Sequence, residues 1–350
     1  MNRLKYKELF NKIDRKQFEN EYLICLGLKT TKNGTTKANN TMNNKWKKIK
    51  ESFSCSNELI RECPDQIEGI LTASYEKLAD LFKIMQNENH EDGLKENFEK
   101  IFQYDNFKRK IYLFFNKYLD TLDLCRCPYC DTSFSGYYIT NDKSEERSIY
   151  DLDHFFPKSD YPLFALSLYN FIPSCQYCNE RIKNSKFIDL YKLDLSKPDE
   201  VEKKLLESSP ASDEYNFETN VHIRFIPQKN NSVDKNEQWH YAPLSQKTES
   251  KYKVYFDSQT NSQYQTIIRG MKLEERYNSQ AIKMNGLYLI DLRKRYPHSH
   301  IEKLCKLLNS QKTSDPNSII PTSEEQIEND IFHNDNKYAL LQKMKNDLLE

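Results

Sequence analysis

Two Cys-x-x-Cys pairs, Cys127/Cys130 in CPYC and Cys175/Cys178 in CQYC, have 44 residues between them. Between them, in the run DLDHFFPKS, lie Asp153 and His154; Asn170 precedes the second pair and Asn179 follows it directly. Four thiolates suit a tetrahedral zinc ion, and a Cys₄ set leaves no open position, so such a metal is structural. Carboxylate and amide oxygens suit a harder divalent ion, Mg²⁺ or Mn²⁺, and an imidazole near its own pKa suits a general base. A closed metal clamped around an open hydrolytic site is equipment for breaking a phosphodiester. Cys125 is out of register with both pairs and is expected to pack in the core.

These residues need a frame. Ile149 to Asp153 alternates like a short strand, and Phe155 to Pro157 turns the chain after His154. Tyr161 to Asn170 offers a second extended or looped stretch. A helix is expected from Asn179 to about Phe187, carrying Arg181, Lys183 and Lys186. Strand, turn, strand and helix make a ββα unit, and zinc on the two thiol pairs would staple its ends.

The pattern DLDHFFPKS, Asn170, CxxCN and a following lysine resembles the HNH endonuclease family, of the ββα-metal fold, in its zinc-stapled form. It spans about 60 of 350 residues. His154, Asn170 and Asn179 match the family's three motif positions. The resemblance implies a metal-dependent endonuclease acting on DNA. His154 is then the general base, Asp153 and Asn179 hold Mg²⁺ or Mn²⁺, and Asn170 orients the His154 loop through backbone hydrogen bonds. Lys158, Arg181, Lys183 and Lys186 are candidate phosphate contacts. Asp151, on the face of the strand that carries Asp153 and one step farther away, is an alternative or second carboxylate. The Asp-His pair alone is commonly a surface accident, and an asparagine after Cys-x-x-Cys is often a helix cap; what raises them above that is their joint placement inside a zinc frame.

The flanks read as scaffold. Leu71, Tyr75, Leu78, Phe82 and Met85 recur at helical spacing, and NFEKIFQYDNFKRKIYLFFNKYLDTL continues with an apolar stripe, both of which suit core-facing helices. Residues 1–50 carry 13 Lys/Arg against 4 Asp/Glu, and residues 51–100 reverse this with 5 and 12. The run from Lys29 to Asn44 reads as a solvated loop, whereas Trp46 to Lys50 is expected to touch nucleic acid or a partner, with Trp46 free to stack. NVHIRFIP and YKVYFDS alternate as two strands of a hairpin, and amphipathic helices follow from about Ser262. The expected fold is α+β, mainly α, with a central ββα-metal unit and a short β-hairpin. Its segments are 1–122 (basic arm and helices), 123–190 (nuclease core with the Cys₄ zinc site) and 191–350 (hairpin and helices).

Formal net charge is zero, from 52 basic and 52 acidic residues, so nucleic-acid contact must come from local patches. Nine cysteines, four of them in metal spacing, do not form a disulfide framework. With no apolar span of membrane length and no secretory signal, a cytoplasmic protein without membrane contact is expected. The motif region is also similar to HNH subunits of bacterial anti-phage defence that pair with an ATPase in Septu-type systems, which implies an SMC-like or AAA-type ATPase partner. Two other functions fit these residues: a catalytically silent zinc module that binds nucleic acid or protein, and an RNA-cleaving toxin of the same fold.

Overall fold

The computed structural model describes residues 3–29, 41–87, 93–141, 145–183, 194, 196–229, 232–233, 252–258, 263–310, 323–332 and 340–349. The described residues are mainly helical, with three small antiparallel sheets among them. The chain divides into two compact units: residues 1–217 with 260–271, and residues 218–259 with 272–350. The segments 1–122 and 123–190 therefore fall within one unit. Lys186, the polar run 30–40, the connection 234–251 and the linker 311–322 lie outside the described residues, as do His90, His240 and His333.

In the first unit, strand β1 (Tyr137–Ile139) pairs with β2 (Glu146–Ser148), and β3 (Asp151–His154) pairs with β4 (Phe171–Ser174). The register of the second sheet sets Asp153 opposite Ile172 and His154 opposite Phe171. The expected second strand is thus displaced. Tyr161 to Asn170 forms two tight helical turns, Pro162–Phe164 and Leu168–Asn170, and the strand begins only at Phe171. Pro162 explains the first turn, since its fixed φ favours an opening helical position. Pro173 in β4 has no N–H to give; opposite it, the Leu152 amide donates to the Tyr112 hydroxyl at 3.1 Å.

Two helices grip this sheet and its loop. From one side comes the Tyr75–Asn87 helix, whose Tyr75, Leu78, Phe82 and Met85 are all buried. Its Phe82 stacks on Phe156 at 4.8 Å between centroids, and Tyr75 meets Phe155 edge-on at 5.6 Å. Such pairs add orientation to the apolar area they bury. From the other side comes the Tyr104–Tyr118 helix, with Phe115 against Phe171 and Tyr104 against His154. The helical stripe expected over these segments is therefore real, although Leu71 belongs to a separate short helix, Ile67–Leu71.

Trp46 corrects its expected role. It is 1% exposed, its indole N–H donates to the Pro64 carbonyl at 3.1 Å, and its ring lies near Phe98 and Phe102. Helical spacing from Met42 through Trp46 to Ile49 turns it into the core, so it has no face left for a base. The β1–β2 hairpin was not foreseen. It leaves Phe134, Tyr137, Tyr138, Ile139 and Ile149 exposed, and is held from behind by Asn116, which bonds to Glu146 and Ser148.

In the second unit, β5 (Val221–Lys229) pairs antiparallel with β7 (Tyr252–Ser258), as the alternation predicts, and carries the two-residue β6 (Ser232–Val233) on its other edge. The helix Gln280–Arg295 approaches β5 so closely that a Cβ on Gly286 would lie 2.1 Å from the Phe225 ring. Helices His298–Ser310 and Glu324–Phe332 share an apolar cluster of Ile301, Cys305, Ile327 and Phe332. No described helix is long and apolar enough to cross a membrane.

Candidate active site

The four predicted thiols converge. The sulfurs of Cys127, Cys130, Cys175 and Cys178 lie within 4.8 Å of one another and all four residues are buried. Cys130 and Cys175 stand 3.9 Å apart, close to the ~3.8 Å edge of a tetrahedron with 2.3 Å Zn–S bonds. The set can hold a metal ion such as zinc. The first pair sits on a tight turn in which the Asp131 amide donates to the Cys127 carbonyl at 2.9 Å and Asp131 takes a left-handed φ of 57°. Arg126 closes the turn with a buried ion pair to Asp131. The second pair opens the helix Tyr177–Lys183, where the Asn179 amide donates to the Cys175 carbonyl at 3.0 Å. Burial raises the Cys127 thiol well above its ordinary value, while its hydrogen bond to Cys175 lowers the latter to about 7. Four sulfurs this close cannot all ionise by themselves; a divalent cation would supply the missing positive charge. Cys125 is buried outside this set, as expected.

Beside the thiols lies a cleft of about 470 Å³ lined by Tyr104, Lys108, Tyr112, Asp151, Leu152, Asp153, His154, Pro157, Lys158, Ser159, Asn179, Glu180 and Lys183. Six of the residues singled out in the sequence are here: Asp151, Asp153, His154, Lys158, Asn179 and Lys183. The helix that supplies Asn179 is of π type and begins two residues before the expected start.

His154 ends β3, its ring between Tyr104 at 4.7 Å and Phe171 at 4.9 Å. Its Nε2 is 2.9 Å from the Ala165 carbonyl oxygen, an atom that can only accept. Nε2 therefore carries the proton, and Nδ1 is the basic nitrogen of a neutral ring. Burial lowers the imidazole to about 4, so it stays neutral at physiological pH. Asn170 is fully buried and does not line the cleft. Its Oδ1 accepts from the Phe156 amide at 2.8 Å, while its Nδ2 donates to the carbonyls of Phe156 at 3.1 Å and Phe164 at 3.0 Å. The side chain thus fastens the turn that follows His154 to the turn that precedes β4.

Asp153 and Asn179 do not meet. Tyr129, from the first thiol turn, donates its hydroxyl to Asp153 Oδ2 at 2.7 Å, and Lys183 Nζ lies 3.0 Å from Oδ1. Lys183 also donates to the carbonyls of His154 at 2.7 Å and Phe155 at 3.3 Å. Burial lowers its ammonium, and Asp153 opposes that shift. Lys183 is thus an interior residue, 2% exposed. Asn179 instead approaches Asp151, its Nδ2 3.3 Å from Oδ2. Asp151 is half-buried; burial raises its carboxyl, and Glu180 adds to the shift. Lys158 stands at the mouth, 3.4 Å from Asp105 and 4.5 Å above the Tyr104 ring. Arg181 is exposed on the same helix as Asn179 but does not line the cleft.

Tyr104, Lys108, Tyr112, Tyr129 and Glu180 were not foreseen as site residues. Tyr104, Lys108 and Tyr112 recur every four residues and share one helical face; the polar members of that repeat were the legible signal. Comparison with protein families, curated proteins and solved structures finds no match for this chain.

Proposed function

We propose that this chain is a divalent-metal-dependent nuclease with a ββα-metal core of the HNH type, stapled by structural zinc on Cys127, Cys130, Cys175 and Cys178. One observation carries this reading: a neutral histidine, its Nε2 fixed by a backbone carbonyl, shares a cleft with oxygen donors from β3 and from the helix behind the second thiol pair. His154 takes the proton from the attacking water at Nδ1. Asn170 holds the His154 loop in place without touching substrate. A carboxylate of β3 and the Asn179 amide oxygen would hold Mg²⁺ or Mn²⁺, which when bound neutralises phosphate charge and assists the leaving oxygen. Lys158 and Lys108 stand where they can meet phosphates at the rim. The proposed substrate is DNA, and the same chemistry serves RNA. The exposed aromatic β1–β2 hairpin supports contact with a macromolecule. An SMC-like or AAA-type ATPase partner and a role in anti-phage defence rest on the resemblance alone; co-purification with the product of the neighbouring gene tests them.

One observation favours a second reading, a silent zinc module: both Asp153 oxygens are already engaged. The deciding experiment is incubation of zinc-loaded protein with plasmid DNA and with RNA in Mg²⁺, Mn²⁺ or EDTA. EDTA-sensitive cleavage supports the nuclease. Binding without cleavage at every divalent concentration selects the module.

A further inference from the structure

Within the nuclease reading, we infer that the divalent ion seats on Asp151 and Asn179, while Asp153 serves as the fixed counter-ion of Lys183. The Lys183 ammonium occupies the position a metal on Asp153 would need: it touches Asp153 Oδ1, the His154 carbonyl and the Phe155 carbonyl at 3.0, 2.7 and 3.3 Å. Both partners are almost wholly buried, with side chains 2% and 6% exposed. Putting a metal on Asp153 would strand a buried ammonium, a strongly unfavourable exchange. Mg²⁺ also keeps several of its waters and so needs room, which a carboxylate buried between Tyr129 and Lys183 does not offer.

Asp151 has the opposite surroundings. It is half-buried in the cleft, and Glu180 lines the same wall. The Asn179 amide atom facing Asp151 Oδ2 is 3.3 Å away. Turning the amide over exchanges nitrogen for oxygen and leaves two oxygens near the ~3 Å edge between adjacent ligands of octahedral Mg²⁺. A separate observation points to the same place. His154 is 8% exposed, lines this cleft, and among the described residues its Nδ1 has no hydrogen-bond partner. A water bound beside Asp151 would supply one. Lys183 then acts as a positioning residue: it neutralises Asp153 and hooks the two carbonyls that flank Phe155.

The test is Mn²⁺ titration of zinc-loaded protein without nucleic acid, followed by the electron paramagnetic resonance of free Mn²⁺. Asp151→Asn is expected to weaken Mn²⁺ binding at least about tenfold. Asp153→Asn is expected to lower the melting temperature yet leave Mn²⁺ affinity within about threefold. Wild-type Mn²⁺ affinity in Asp151→Asn would overturn the assignment, whether or not Asp153→Asn folds. If wild-type protein binds no Mn²⁺, both this assignment and the nuclease reading fail. If Mn²⁺ binds and drives cleavage but depends on Asp153, only the assignment fails.

Discussion

Asn170→Ala is expected to be among the costliest single substitutions in the first unit. The amide makes three hydrogen bonds in a site with no solvent access, one accepted from Phe156 and two donated, to Phe156 and Phe164. Alanine leaves the Phe156 N–H with no acceptor and withdraws a donor from two carbonyls. A buried unsatisfied group costs about 1–3 kcal/mol, and the carbonyls, with two lone pairs each, sit at the lower end. The sum is about 3–5 kcal/mol, a large part of the ~5–15 kcal/mol that holds a domain together. Asn170→Asp keeps the shape but turns an acidic oxygen on two carbonyl oxygens, so it should cost at least as much. Urea unfolding at low temperature, with zinc content measured in parallel, reads the difference. A loss under about 1 kcal/mol in Asn170→Ala would refute the claim that this amide fastens the His154 loop.

Other outcomes follow from the same structure. Because the folded imidazole of His154 sits near 4 and an exposed one near 6.5, the unfolded chain binds the proton first. Stability from this group is complete above pH 6.5 and is lost as pH falls toward 4; between pH 7.5 and 4.5 wild type should lose about 2.5 kcal/mol more than His154→Gln, and equal losses in urea titrations would contradict the burial argument. Cys178→Ser should lose its zinc by metal analysis and melt at least about 10 °C lower; an unchanged melting curve would mean the thiols hold nothing of structural weight. Gly286→Ala should destabilise the second unit by about 1–3 kcal/mol despite the helix propensity of alanine, because the added Cβ meets Phe225. A neutral or stabilising result by thermal melting would show that the helix can shift away from β5.

The parts of this site that can be read from the sequence are those whose chemistry forces a spacing. Paired thiols on tight turns are separated by two residues, so Cys127/Cys130 and Cys175/Cys178 are visible without a structure, and β3 shows itself by the alternation of Ile149 to Asp153 just before His154. The helical stripe through Tyr75, Phe82 and Met85 is visible for the same reason. What escapes is contact between distant segments. Nothing in CPYC says that Tyr129 reaches Asp153, and nothing in CNERIK says that Lys183 turns inward while Arg181 stays outside. A helix of π type shifts side-chain directions relative to an α-helix. The basic, polar neighbourhood of Trp46 suggests surface, while the Met42–Trp46–Ile49 spacing points to the core, and the spacing prevails. The β1–β2 hairpin, with GYYIT and ERSIY as its arms, carried β-forming residues but no buried face to give an inside–outside alternation.

The central claim is that His154 is the base of a metal-dependent phosphodiester hydrolase. It is tested most directly by single-turnover cleavage of labelled DNA in Mn²⁺ or Mg²⁺, comparing wild type with His154→Ala of equal zinc content, alone and with the neighbouring gene's product. The account predicts EDTA-sensitive cutting that falls at least about a hundredfold in His154→Ala. Cutting that survives the substitution would contradict it.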